Sequence, residues 1–100
     1  MKKYILTETT QKFYGITLYQ IKATTSFGNV QAGELGGWIQ QEKNLKDEGN
    51  AWVSGNARVF GDAEVSGNAR VSGNAEVFGN ARVSGNAWVS GNAWDTGGVY

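Results

Sequence analysis

From Gly49 to Thr96 the chain consists of eight hexapeptides in unbroken register: GNAWVS, GNARVF, GDAEVS, GNARVS, GNAEVF, GNARVS, GNAWVS and GNAWDT. Internal repetition of this strictness constrains the fold more than any other feature, and six residues are too few for a helical repeat unit. A hexapeptide can supply one short strand and one corner. The fifth position is Val in seven of the eight units, and β-branched residues favour strands. The Ala two residues earlier lies on the same side of an extended strand, because successive side chains alternate. Val and Ala therefore point inward and the residue between them points outward. Gly and Asn make the corner, where positive φ costs Gly nothing and Asn less than most residues.

Only the outward position varies freely, and its pattern sets the number of hexads per coil. At a spacing of 18 it gives three columns: Trp52, Arg70, Trp88; Arg58, Glu76, Trp94; and Glu64, Arg82, Tyr100. Every charge then has an opposite charge or an aromatic ring as its column neighbour. A spacing of 12 would instead stack Arg58 on Arg70 and Glu64 on Glu76, and like charges directly opposite each other are destabilising. Phe60 and Phe78 also lie 18 apart. Three hexads per triangular coil are expected, with strands stacked at roughly 4.8 Å.

The units VSGNAR, VFGDAE and VSGNAW resemble those of the hexapeptide-repeat family, in which an aliphatic residue is followed four positions on by a small one. More closely, the chain resembles short Gly-Asn-Ala repeat proteins of bacterial and phage genomes, which often begin with a segment like SFGNVQAGELGGWIQQEKNL, here residues 26–45. The resemblance implies an all-β fold, a left-handed parallel β-helix with three hexapeptides per coil. The hand comes from the resemblance, since parallel crossovers otherwise turn the other way. Asp95 takes the inward Val place of the last hexad, and burial of a charge there would be costly, so the coil is expected to stop near Ala93 or Trp94.

The first 48 residues hold all six lysines and no strict repeat. Residues 1–25 read as a β-strand cap, with strands over 3–7 and 14–23 and a hairpin turn near 9–12. Residues 26–48 read as an irregular first coil, in which FGNV at 27–30 is a degenerate hexad and Trp38, Ile39 and Leu45 supply further sides. Residues 49–96 form the regular helix, and 97–100 a tail. The chain has no Cys and no His, and 9 basic residues balance 9 acidic ones. No disulfide framework, thiolate metal site or histidine base is available. The balanced charge gives no footprint for nucleic acid or an anionic membrane. The apolar run after the first lysines is too short for a signal peptide, and a cytoplasmic setting is expected, in a bacterial host if the gene is a phage's.

Function is less legible. Many hexapeptide-repeat proteins transfer acyl groups with a His base and a loop inserted between coils; residues 49–96 contain neither, so no enzyme, cofactor, metal or catalytic residue is expected. GELGGW lacks the Lys-Ser/Thr of a phosphate loop. Asp47 and Glu48 suit a solvated turn, and Asp62 a corner variant. Arg58, Arg70 and Arg82 alternate with acids rather than forming a basic stripe. The outward aromatics are the positive signal, because clustered exposed rings mark interfaces. The expected interface comprises Trp52, Arg70, Trp88, Trp94, Tyr100, Phe60 and Phe78. The expected partner is the chain itself, as a homodimer or homotrimer, or an unidentified protein such as a host-defence protein inhibited by a phage. A transferase-like binder of a small ligand and a structural spacer or fibre module are the alternatives.

Overall fold

The computed structural model of the chain describes residues 3–47 and 49–95. The proposed tail at 97–100, Tyr100 included, lies outside them. The repeat forms eight two-residue strands: β4 (Trp52–Val53), β5 (Arg58–Val59), β6 (Glu64–Val65), β7 (Arg70–Val71), β8 (Glu76–Val77), β9 (Arg82–Val83), β10 (Trp88–Val89) and β11 (Trp94–Asp95). Each pairs in parallel with the strand three hexads away: Trp52 with Arg70, Arg70 with Trp88, Arg58 with Glu76, Glu76 with Trp94, and Glu64 with Arg82. The chain is a parallel β-solenoid with three hexads per coil, and among the described residues the outward columns are those expected from the charge pattern.

The residue types account for the geometry. Val53 to Val83 and Ala51 to Ala81 are fully buried at their repeated positions, and they form one continuous core. Each repeat Gly has positive φ, such as +66° at Gly73. The Asn that follows it does not, and uses its amide instead. Asn56 donates to Asn74 and Asn74 to Asn92, at 3.4 and 3.3 Å, while Asn68 donates to Asn86 at 3.4 Å. In Asp62 the corner amide is replaced by a carboxylate that accepts from Lys43 Nζ at 2.6 Å, which holds its pKa below the usual range.

The repeat is roofed by the non-repeating half. β1 (Tyr4–Phe13) and β2 (Ile16–Ala23) form an antiparallel hairpin, and β3 (Leu35–Ile39) pairs antiparallel with β2 and parallel with β5. One sheet thus runs β1-β2-β3-β5-β8-β11. The hairpin turn falls at Tyr14-Gly15 rather than near 9–12. Both residues have positive φ, 52° and 80°, as a two-residue type I′ turn requires, and residues 9–12 continue β1 beyond a bulge between Leu6 and Thr10. FGNV is no degenerate hexad either: Phe27 and Val30 exchange backbone hydrogen bonds of 2.9 and 2.8 Å across a tight turn. Trp38-Ile39 and Leu45 do stand over two sides of the regular stack, against β5 and Val65. Asp95 corrects the expected end of the coil. It stays in register with Val77, because Phe78 N–H donates to its carbonyl at 2.9 Å whatever the side chain is, and the residue is only 3% exposed.

The cap also closes the exposed backbone of the first regular coil. In the ladder, N–H groups donate to the coil that follows: Trp52 to Ala69 O at 3.1 Å, Ser54 to Val71 O at 2.8 Å. The first coil therefore presents carbonyls to whatever lies before it. Lys3 Nζ donates to Gly49 O and Ala51 O at 3.1 and 2.8 Å. Backbone N–H groups of Trp38, Gln40 and Lys46 reach Ala57 O, Val59 O and Val65 O. Asn44 Nδ2 reaches Gly61 O and Ala63 O, and Gln41 Nε2 also reaches Gly61 O.

Burial pushes the Lys3 ammonium down to about 8, against a smaller upward pull from Asp47. Below that pH folded and unfolded chains both hold the proton; above it the unfolded chain holds it more tightly, so stability climbs until the unfolded lysine itself titrates. The Tyr4 hydroxyl, which donates to Leu45 O at 2.6 Å, is shifted upward by burial and then by Glu42 and Asp47. Its effect is a loss of stability above about pH 10, where an unfolded tyrosine ionises. The urea midpoint is therefore expected to rise from about pH 8 to about pH 10 and then fall. In Lys3→Met the rise disappears, and the protein is about 1–3 kcal/mol less stable at neutral pH, because buried carbonyls lose their donor. A wild-type midpoint flat over that interval would contradict the assignment.

Candidate functional site

The expected interface residues separate into two groups. Trp52 and Phe60 are not available as surface. Trp52 is 1% exposed, with the Phe27 ring 5.4 Å away at 73° and Gly36 against its ring. Among the described residues its buried Nε1 has no hydrogen-bond partner. Phe60 is 9% exposed, covered by Phe13 at 5.6 Å and stacked on Phe78 at 5.0 Å with the rings parallel. The reason is common to both. They sit in the first regular coil, and the non-repeating half folds over its outward face as well as its edge. Arg70 is half-buried, with its guanidinium close to Gly28.

Trp88 and Trp94 remain open, 71% and 65% exposed. Both belong to the last described coil. Trp94 meets Phe78 edge-on at 6.3 Å, so one corner carries a chain of rings from Phe13 through Phe60 and Phe78 to Trp94. Arg58 fastens the hairpin beside it, donating to Gln11 Oε1 from Nε and Nη2 at 3.3 and 3.1 Å. Its guanidinium lies 4.4 Å from the Phe13 ring and 3.7 Å from the Glu76 carboxylate. Phe13, Phe27 and Lys3 lie outside the repeat, and no periodicity marks them.

The same coil ends the three strand stacks. Among the described residues no strand lies beyond β9, β10 or β11. The N–H groups of Arg70, Ser72 and Asn74 point toward this coil and are bonded to Ala87 O, Val89 O and Gly91 O. Among the described residues the surface thus combines two large exposed rings with the last strands of the three stacks. Such a surface binds by burying rings and extending a sheet. Among the described residues there is no group of three or more His, Cys, Asp or Glu that could hold a metal, and no helix long and apolar enough to cross a membrane.

Comparison with known proteins supports the architecture and revises one expectation. Residues 63–77 and 75–91 match the YdcK beta solenoid repeat. The chain is 39% identical over 61 residues to a protein of Escherichia coli (strain K12) named "Uncharacterized acetyltransferase YdcK", covering 53% of this chain and 19% of that protein. The chain thus spans about a fifth of the length of the curated relative it matches. With the three-hexad solenoid, these matches fit a hexapeptide-repeat family. The absence of His and of an inserted loop gave the expectation that the chain is not an enzyme. The match to a protein named as an acetyltransferase overturns it.

Proposed function

We propose that this chain is a β-solenoid interaction module, closed at one end by its own cap and binding protein through its last described coil. The observation that supports it most directly is the distribution of exposed rings. In one column, Trp52 is 1% exposed and Trp88, two coils on, is 71% exposed. Large apolar side chains left this open suit a partner better than water. The partner is a second copy or a foreign protein, and a phage-encoded chain acting on a host protein is the setting suggested by the Gly-Asn-Ala repeats.

The test joins Trp88→Ala with Trp94→Ala. The wild type is expected to associate, read as a mass above 10.8 kDa by light scattering or as a photo-crosslink from position 88 to another protein chain. The double variant is expected to lose association while keeping its circular dichroism, with affinity at least tenfold lower, since buried tryptophans at interface centres cost about 2 kcal/mol or more when truncated. No crosslink and no change in mass would reject the proposal.

A second reading is acetyl transfer, favoured by the name of the matched relative. It predicts an upward thermal shift with acetyl-CoA, and a flat response would count against it.

A further inference from the structure

We infer that Arg70, Asn50 and the turn at Gly28 form a binding site for one carboxylate, supplied by an acidic side chain of a protein partner; the choice of a protein as its source rests on the interaction reading above. Arg70 differs from the other arginines of the repeat. Strand pairing puts Arg58 beside Glu76 and Arg82 beside Glu64, whereas the column neighbours of Arg70 are Trp52 and Trp88. Arg58 is engaged by the Glu76 carboxylate, Gln11 and the Phe13 ring. Arg70 is half-buried, and among the described residues its guanidinium has no ion pair, no hydrogen bond and no ring stacked on it. A cation partly withdrawn from water, with all its N–H donors unused, gains most from an anion that accepts them.

Other donors gather at the same point. A Cβ on Gly28 would stand 3.3 Å from Arg70 Nη2 and 3.3 and 3.5 Å from Asn50 Cβ and Cγ, so the guanidinium and the carboxamide meet beside the turn. Asn50 is released from the corner ladder. Its backbone N–H donates to Gly67 O at 3.0 Å, but its amide has no partner among the described residues, whereas the amides of Asn56, Asn68 and Asn74 each donate to the next Asn. The turn itself is fixed by the two hydrogen bonds between Phe27 and Val30, which leave the N–H groups of Gly28 and Asn29 without an acceptor among the described residues. An open cleft lined by Ser26, Asn29 and Gln31 shares Gly28 with this point. A second positive charge stands behind it, Lys3 Nζ, 4.8 Å from the Phe27 ring. The carboxylate carried by this loop, Glu34, accepts from Gln31 N–H at 3.2 Å.

The donor set selects the ligand. One free guanidinium beside a carboxamide suits a single carboxylate, which accepts two parallel N–H bonds from the fork. A phosphate carries more charge and would find only one free cation here. A nucleic-acid strand needs a row of cations, and the Arg70 column has one. Trp88, in register with Arg70 and exposed, stands next to it, so the partner segment that fits has an apolar residue adjoining its acid.

The experiment titrates the whole chain with three N-acetylated tripeptide amides at constant ionic strength: Leu-Glu-Leu, Leu-Gln-Leu and Leu-phosphoserine-Leu. The readout is the NMR shift of Arg70 Nε–H, the Asn50 side-chain amide and the Gly28 and Asn29 backbone amides. Leu-Glu-Leu is expected to move all four along one saturable curve. Leu-Gln-Leu should bind about tenfold more weakly, because its amide replaces the charged acceptor. Arg70→Gln should weaken Leu-Glu-Leu by about tenfold or more, Asn50→Ala by less, and Arg82→Gln not at all, each with unchanged circular dichroism. Shifts that do not saturate, that are as large at Arg58 or Arg82 as at Arg70, or that survive Arg70→Gln would overturn the inference. So would equal binding of Leu-Gln-Leu, and tighter binding of the phosphoserine peptide would replace the carboxylate by a phosphate and overturn it too. If Arg70 fails to titrate while the tryptophan double variant still loses association, this site falls and the interaction reading stands. If Arg70 titrates as expected but the wild type never associates, the carboxylate site stands and the interaction reading falls.

Discussion

Val71→Asp should leave the chain unfolded at room temperature. Val71 sits in the middle coil, fully buried, with Val53 on one side and Val89 on the other. A carboxylate there would have neither water nor a cation, only Val and Ala. Burying an unpaired charge costs several kcal/mol even when the group takes up a proton to escape ionisation. A chain of this size has about 5–15 kcal/mol of stability in all. Here the effect would also propagate, because each coil is held by its two neighbours and the loss of one separates the rest from the cap. The readout is far-UV circular dichroism at neutral pH, with Val71→Thr as the milder control. A folded Val71→Asp protein losing less than about 2 kcal/mol would show that the interior is wetter than its burial implies. Asp95 holds the equivalent place in the native chain and is tolerated at 3% exposure. Its setting differs from Val71's: the described residues place one coil against it, not two.

Gly36→Ala should cost about 3 kcal/mol, the upper end of what one added methyl does in a packed site. A Cβ at this position would stand 2.6 Å from Ile21 Cγ1, 2.6 Å from the Val53 carbonyl oxygen and 2.7 Å from Trp52 Cζ2. Two of these neighbours cannot move independently. The carbonyl belongs to β4, which is paired with β7, and the indole is wedged by Phe27. The substitution therefore pushes the cap off the first coil rather than shifting one side chain. Urea unfolding followed by tryptophan fluorescence would show a lower midpoint, together with a red-shifted native emission as Trp52 gains water. If the midpoint moved while the emission did not, the strain would lie elsewhere than at the roof over Trp52.

The repeat was readable because its physics is local and repeated: a Val, an Ala and a positive-φ Gly in every unit, with column chemistry choosing 18 over 12. The limits came from residues outside the period. Trp52 looks like Trp88 in sequence, since both sit in GNAWVS, and only Phe27 and Gly36 from the non-repeating half separate a core indole from a surface one. The hairpin turn is hard to read from sequence, because a Tyr at positive φ is uncommon and carries no turn signal of its own. Lys3 looks like an ordinary solvated lysine near the start of the chain, yet it takes the place of a missing strand. The Asp95 side chain signals a stop, while its backbone continues the ladder with Val77 and Phe78 regardless. Of the candidate surface, the repeat pattern puts Trp88 and Trp94 outward, where they are exposed, while the covering of Phe60 by Phe13 depends on packing that no single hexad encodes.

The column pairing also restricts how such a gene can change length. One extra hexad inserted after Ser66 would bring Arg58 against Arg70 and Glu64 against Glu76, and would rotate every later side of the prism by a third of a turn. Three extra hexads would restore each original facing, because stacked partners such as Asn56 and Asn74 are 18 residues apart. Viable descendants should therefore differ by whole coils. Natural variation in this lineage would be counted in steps, each leaving the roof as it is and changing only the length of the stack beneath it.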